Sequence, residues 1–370
     1  MSADRQPRRC WVEIDPSALR HNLAAVRAHV GGMVKVMAVV KANAYGHDAA
    51  LAVKALANDA EMFGVANLTE AREVRKWAPH TPVLILGPAL PDERAEIAAR
   101  RFIPILSTLD EARAFHALGG DAPVEAHMMI DTGMGRVGIW ERDALAAASE
   151  IRTLSGLRIT GISSHLPSAD EDENFTNEQL RRFHEIVLQI RALGFDQALA
   201  HIENSAGIIG FPAQAGDLVR AGLMLYGCAP IPEFQQKLRP VMTWKTRITL
   251  IRTAPAGHGI SYGRTHLTSR PTRIATLAVG YADGYQRHLT NRGAEVLIRG
   301  HRCPVLGRVT MDQIVVAVDA LPDVAAGEEV VLMGKQGREE ILAAELAQKA
   351  GTIPWEIFTG VGRRVERVSI

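Results

Sequence analysis

The feature that most limits the fold is a repeated alternation. Between residues 35 and 225, eight short β-branched or apolar runs (35–40, 62–66, 83–86, 103–106, 124–130, 159–164, 199–202 and 218–225) are separated by stretches that include the helical segments 92–100, 108–118 and 176–193. Runs that are apolar throughout suit strands buried on both faces, and strands joined through helices pair in parallel. Eight units in roughly 200 residues fit a closed (β/α)8 barrel, an α/β fold, better than an open doubly wound sheet. An amphipathic helix precedes the first run, with Asp15 as N-cap, Pro16 at the first helical position and Gly31-Gly32 beyond its end. Thr108 with Glu111, and Thr176 with Gln179, have capping-box spacing and predict helix starts there. Gly222 interrupts the last run.

Past Pro240 the pattern changes. Runs at 244–251, 273–279, 295–298, 314–318 and 330–333 lie between Gly-, Pro- and Asp-rich turns, with one helical stretch near 339–350. This predicts a mostly β second domain, with the barrel over 11–238 and the β domain over 239–370. Lys and Arg number 42 against 41 Asp and Glu, so no global field favours nucleic acid or an anionic membrane. Cys10, Cys228 and Cys303 are far apart and form no C-x-x-C, which argues against a disulfide framework and a structural zinc site, and no metal is expected. No stretch approaches the ~20 uncharged residues of a membrane helix, and the start lacks an apolar leader core. A cytoplasmic protein acting on small molecules is the expectation.

In a parallel barrel, functional groups lie just past the C-terminal ends of the strands. Those positions hold Lys41 after the first run, Asp131 to Gly138 with Arg136 after the fifth, His165 after the sixth and Asn204-Ser205 after the seventh. Arg220 and Tyr226 bracket the last. Each has a plain alternative: a lysine where the chain meets water, a hydrogen-bonded structural histidine, an ion-paired arginine, a helix cap at Asn204-Ser205. Together they make a cationic mouth suited to a phosphate or carboxylate. The apolar lead-in to Lys41 favours a neutral, nucleophilic amine. Gly133, Gly135 and Gly138 match G-x-G-x-x-G, but they sit in the fifth unit and lack the acidic partner ~20 residues on, so a dinucleotide site is discounted.

These segments resemble the alanine racemase family of fold-type III pyridoxal 5'-phosphate enzymes. The resemblance is carried by Val39-Val40-Lys41-Ala42-Asn43-Ala44-Tyr45-Gly46-His47, Asp131-Thr132-Gly133-Met134-Gly135-Arg136-Val137-Gly138, Ser164-His165 and His201-Ile202-Glu203-Asn204-Ser205. It continues through Val219-Arg220-Ala221-Gly222-Leu223-Met224-Leu225-Tyr226-Gly227, Ile260-Ser261-Tyr262-Gly263-Arg264, Val279-Gly280-Tyr281-Ala282-Asp283-Gly284 and Gly307-Arg308-Val309-Thr310-Met311-Asp312. It implies a barrel followed by a β domain, and a homodimer with shared active sites. By the same resemblance Lys41 carries the cofactor as a Schiff base, while Tyr45, Asn204, Ser205 and the backbone at Gly222-Leu223 hold its phosphate end. Arg220 faces the pyridine nitrogen, and Arg136, Tyr281 and Met311 lie near the substrate. Tyr262 reaches in from the other subunit as the second base, helped by His165 and Arg220. The implied reaction interconverts L- and D-alanine, supplying D-alanine for the cell wall.

Two positions depart from that pattern. Many relatives have a carbamate-bearing lysine two residues before the Asp of the Asp131 motif; here it is Met129, so Arg136 needs another orienter, a bound anion or another polar side chain. An aromatic residue follows the histidine in many relatives, whereas Leu166 follows His165. A serine or broad-specificity racemase is therefore the rival within the family, and a pyridoxal-phosphate carrier without turnover the rival outside it. The β domain and Tyr262 argue against the carrier.

Overall fold

After β1 (Cys10–Ile14), eight parallel strands follow the expected alternation: β2 (Lys35–Val39), β3 (Met62–Val65), β4 (Val83–Ile85), β5 (Ile103–Leu106), β6 (Val124–Asp131) with the two-residue β7 (Ile139–Trp140) beside it, β8 (Leu157–Ser163), β9 (Leu199–His201) and β10 (Leu218–Ala221). The computed structural model describes residues 8–214 and 216–370. Residues 1–7, read above as lacking a leader core, lie outside the described residues. β10 pairs with β2, and parallel pairing then runs in order to β9. The seam between β9 and β10 is bridged by Asp217 N–H donating to the Ala200 carbonyl (2.9 Å) and Arg220 N–H to the Glu203 carbonyl (3.1 Å). Val36, Phe63, Leu84, Ile105, Met128 and Val219 are buried in its wall, which accounts for the unbroken apolar runs.

The helix Pro16–Val30 ends where Gly31 turns left-handed, burying Leu19, Leu23 and Val26 along one stripe. Thr108 forms the expected capping box, its hydroxyl accepting from Glu111 N–H at 3.1 Å. The second expected box is a correction. The helix Glu173–Ile190 starts a turn earlier, because the Asp172 carboxylate accepts from Phe175 N–H (2.9 Å) and takes the cap. Thr176 and Gln179 therefore sit inside the helix, with Gln179 turned inward. The last run also ends early: Gly222 breaks it at Ala221 into the turn Leu223–Tyr226.

The chain divides into a barrel unit, Ser17–Ala44 with Ala49–Arg239, and a β unit of residues 8–16, Tyr45–Asp48 and Pro240–Ile370. The β unit contains β11 (Met242–Ala254), the hairpin β12 (Gly259–Ile260) and β13 (His266–Leu267), β14 (Thr272–Leu277), β15 (Glu295–Ile298), β16 (His301–Leu306), β17 (Ile314–Ala317), β18 (Glu329–Gln336), β19 (Glu339–Ile341) and β20 (Glu366–Ser369). β1 lies between β11, antiparallel, and β20, parallel, with Val12 and Ile14 fully buried. The expected boundary at residue 11 thus differs in the structure: the first strand is apolar enough to complete the β sheet, so it belongs there. The helix expected near 339–350 is Ala343–Ala350, its first residues taken by β19, and Pro354–Thr359 adds a short helix that was not expected.

Candidate active site

Lys41 follows β2 and opens an unusual turn. Ala42, Asn43, Ala44 and Tyr45 all have φ of 53–54°. Left-handed backbone costs an L-residue roughly 1–2 kcal/mol each, so such a turn must be held from outside. Ala44 N–H donates to the Val40 carbonyl (2.9 Å), and Ala49 N–H to Asn43 Oδ1 (2.8 Å). Glu70 supplies the decisive brace, its two oxygens accepting from Ala42 N–H (2.8 Å) and Ala66 N–H (2.7 Å). Burial, then the charges of Arg136 and Arg220, lower the Lys41 pKa, with Glu70 opposing them.

Arg220, on β10, is buried and nearly saturated with acceptors. Its NH1 donates to His201 Nδ1 (2.7 Å) and the His201 carbonyl (3.1 Å); its NH2 donates to the carbonyls of Ser164 (2.7 Å) and Ile202 (2.9 Å) and to His165 Nδ1 (3.0 Å). Among the described residues Nε–H has no such acceptor and is the donor left for a ligand. A guanidinium only donates, so His165 and His201 accept at Nδ1 and carry their protons at Nε2. His201 Nε2 then donates to His127 Nδ1 at 2.8 Å. Burial and the Arg220 charge hold His165 and His127 down at about 3 and push His201 well below its usual range, so all three imidazoles are neutral. Burial also lowers Arg220 to about 10, an effect opposed by the buried carboxyl of Glu203, whose own pKa is raised by burial.

The remaining mouth residues are fixed by backbone donors. The Asp131 carboxylate gathers the N–H groups of Gly133 (2.9 Å), Met134 (2.9 Å), Gly135 (3.1 Å) and Arg136 (3.1 Å), which shapes the loop that presents Arg136. Among the described residues no side chain bonds the Arg136 guanidinium, and Met129 lies buried with Ser163 Oγ donating to its sulfur at 3.2 Å. Gln179 Nε2 donates to Thr132 Oγ1 and to the His165 carbonyl, both at 2.9 Å, tying the two loops together. Ser205 Oγ accepts from Gly222 N–H (3.2 Å) and Met224 N–H (3.3 Å), so Ser205 and the Gly222-Leu223 backbone share one corner.

Two mouth residues are engaged by neighbouring backbone. Asn204 uses its oxygen to cap Gly207 N–H (3.0 Å) and one amide N–H to reach the Leu166 carbonyl (2.9 Å), which fixes it beside Ser205. Tyr226 donates to the Val39 carbonyl at 2.8 Å, inside the wall. Glu70, Glu203, His127 and His201 had no role assigned from sequence, and Gln179 had only that of a helix cap partner. The capping-box spacing from Asn67 to Glu70 was the available signal for Glu70, since Asn67 Oδ1 accepts from Glu70 N–H at 3.0 Å.

The other expected residues lie in the β unit. Tyr45 clusters there, its phenol buried, raised to about 12 by burial and bonded by the Trp355 side chain. Tyr281 N–H donates to the Thr310 carbonyl and Ala282 N–H to the Met311 carbonyl, both at 3.0 Å, so the Tyr281 and Met311 loops run together. Arg364 binds Asp283 and Asp312 and locks those loops. Tyr262 sits in the loop of the β12–β13 hairpin, 72% exposed.

The family model described as "Alanine racemase, N-terminal domain" matches residues 14–230, and "Alanine racemase, C-terminal domain" matches 241–369. The chain belongs to the alanine racemase family. This is a family of isomerases, and its members use pyridoxal phosphate. The chain is 41% identical to an alanine racemase of Halothermothrix orenii, over 98% of this chain and 97% of the relative. Among solved structures, an alanine racemase from D-cycloserine producing Streptomyces lavendulae is 36% identical with a TM-score of 0.90, covering 99% of this chain and 98% of that one. Alanine racemase from Bacillus anthracis with bound L-Ala-P is 35% identical with a TM-score of 0.89, covering 98% and 95%. The parallel barrel and mostly β second unit are the fold of these alanine racemases.

Proposed function

We propose that this chain racemises alanine with pyridoxal phosphate, as a cytoplasmic homodimer in which Tyr262 of one subunit completes the mouth of the other. The observation that carries the reading is Arg220, a buried cation that keeps an N–H free beside an amine of lowered pKa at Lys41. The donor set fits the cofactor. Lys41 offers a nucleophilic amine, the Ser205 hydroxyl and the Leu223 N–H offer donors for a phosphate, and Arg220 Nε–H suits an unprotonated pyridine nitrogen, while the family resemblance adds the Tyr45 hydroxyl to the phosphate donors. Asn204 supports the Ser205 corner and Arg136 faces the substrate, and the family resemblance assigns Tyr281 and Met311 to the substrate as well. When bound, the cofactor delocalises the electron pair left as the α-proton departs.

The residues supply the rest. Racemisation takes a proton from one face of Cα and returns one to the other, so it needs two acid–base groups. Lys41 Nζ serves the face of the D-isomer, Tyr262 Oη the face of the L-isomer. A phenol with an ordinary pKa of ~10 is a poor base near neutrality. His165, neutral and with its proton on Nε2, donates to the developing phenolate, while Arg220 fixes that tautomer at Nδ1. The Arg136 guanidinium, which no side chain among the described residues bonds, is open to the substrate carboxylate. D-Alanine production places the enzyme before cell-wall assembly.

Proton NMR in D2O tests this, with the holoenzyme and each enantiomer of alanine, serine and bulkier amino acids. α-Hydrogen exchange and inversion with alanine alone supports the proposal. Comparable turnover across the panel makes the chain a broad racemase, and no exchange despite bound cofactor makes it a carrier.

A further inference from the structure

Tyr262 stands on a short hairpin whose backbone conformation is held by its neighbour. β12 and β13 pair through Gly259 with Leu267 and Ile260 with His266. Between them Ser261 has φ 61° and ψ −172°, a region that is essentially glycine's alone. A side-chain-bearing residue persists there only when its surroundings over-determine it. They do so here. Ser261 Oγ donates to the Arg308 carbonyl at 2.6 Å. Gly307, at φ 67°, lets that segment approach closely: a Cβ there would lie 2.4 Å from the Ile260 carbonyl oxygen and 3.1 Å from Ser261 Cβ. Beneath the hairpin, Ile260 joins a small buried core with Ala254, Ile274 and Leu306. At its base Thr268 Oγ1 accepts from His258 N–H at 2.9 Å.

The Tyr262 side chain is mostly exposed within its own unit, so its location is set by its backbone. A glycine before it would fit the conformation at no steric cost but would leave the hairpin free to swing. A serine accepts the strain and is locked by its hydroxyl. We propose that Ser261 is the positioning residue for Tyr262: by pinning the strained turn to the Arg308 carbonyl, it holds the phenol where it can serve as the base for the L-isomer. This rests on the reading of Tyr262 as that base.

The test follows from an equilibrium constant of one between enantiomers. Racemisation must fall equally in both directions when either base is impaired, so turnover alone cannot assign a face. Exchange of the α-hydrogen with retention can. With holoenzyme in D2O, NMR is used to follow initial exchange from L-alanine and from D-alanine for wild type, Ser261→Gly, Ser261→Ala and Tyr262→Phe. Ser261→Gly removes the anchor and is expected to slow exchange from L-alanine about 10-fold. Ser261→Ala keeps the strain without its anchor and is expected to slow it about 10- to 100-fold. Exchange from D-alanine with retention stays within about two-fold of wild type in both, which also reports a folded, loaded enzyme. If Ser261→Ala does not fold, Ser261→Gly carries the test alone.

Equal losses from both enantiomers, or unchanged exchange from L-alanine, with Tyr262→Phe still selective for the L-isomer, overturn the role of Ser261. If Tyr262→Phe is itself unselective, the assignment of the second base fails and the positioning role falls with it.

Discussion

Glu70 offers the sharpest perturbation of the lysine side of the mouth. Its carboxylate takes two backbone N–H groups, Ala42 at 2.8 Å and Ala66 at 2.7 Å, and so ties the turn after β2 to the end of β3. In Glu70→Gln only one side-chain oxygen remains, and the amide NH2 meets the other N–H donor to donor. One hydrogen bond to a charged group is lost, worth ~1.5–3 kcal/mol. Ala42 is exposed, so water can satisfy its N–H and the lower figure applies. About 1.5 kcal/mol corresponds to about a tenfold change in an equilibrium or rate constant that depends on the turn, and to a drop in Tm of roughly 3–6 °C for a unit of this size. The variant also removes the one charge that opposes the lowering of Lys41, so the lysine pKa falls further. The expected outcome is a kcat about 10-fold lower with KM little changed, and cofactor attachment whose pH profile moves to lower pH. Stopped-flow absorbance during reconstitution reads the second, melting of the apoprotein the stability. A variant that melts, loads and turns over as wild type, with its profile unmoved, refutes the reasoning.

Lys41→Ala should abolish the absorption band of the attached cofactor, and Lys41→Ala subunits mixed with Tyr262→Phe subunits should regain activity if mouths are shared. No recovery after demonstrated subunit exchange argues for self-sufficient chains. The buried histidines make stability depend on pH. His127 and His165 are held at about 3, and His201 below its usual value, against ~6.5 when unfolded, so the unfolded chain binds more protons as pH falls below 6.5. Stability should therefore drop on acidification by up to ~4 kcal/mol per pH unit from the three together, read as a falling urea midpoint between pH 7 and pH 5. A midpoint flat over that range would mean that these imidazoles are not buried neutral.

Much of the fold was legible because its signals are local. A short apolar run such as 103–106, set between helical stretches, reads as a buried strand, and Thr108 with Glu111 caps its helix through neighbours three residues apart. The errors arose where the deciding partner lay outside the local pattern. Asp172 out-competes Thr176 as a cap because a carboxylate is the stronger acceptor, and β1 joins the β unit because its partners are more than 200 residues away in sequence. Lys41, His165 and Arg220 could be placed at one mouth because strand ends converge in a barrel.

What sequence did not disclose is how those residues are held, since that depends on distant pairs. Spacing does not link Arg220 to His201, His201 to His127, or Glu70 to Ala42. Yet these bonds decide the chemistry. The tautomer of His165 is set by the fact that Arg220 can only donate, and a neutral His165 with its proton on Nε2 is the form able to stabilise a phenolate. A lysine at Arg220 would keep the charge but offer three donors from a single point instead of a planar fork, and could not serve His165 and His201 while holding a further N–H ready for a ligand. An acidic residue there would leave His165 without its donor, freeing the other tautomer. The arginine thus has two tasks. On the proposed reading its Nε–H would face an unprotonated pyridine nitrogen, while its NH2 orders the imidazole that would assist the second base.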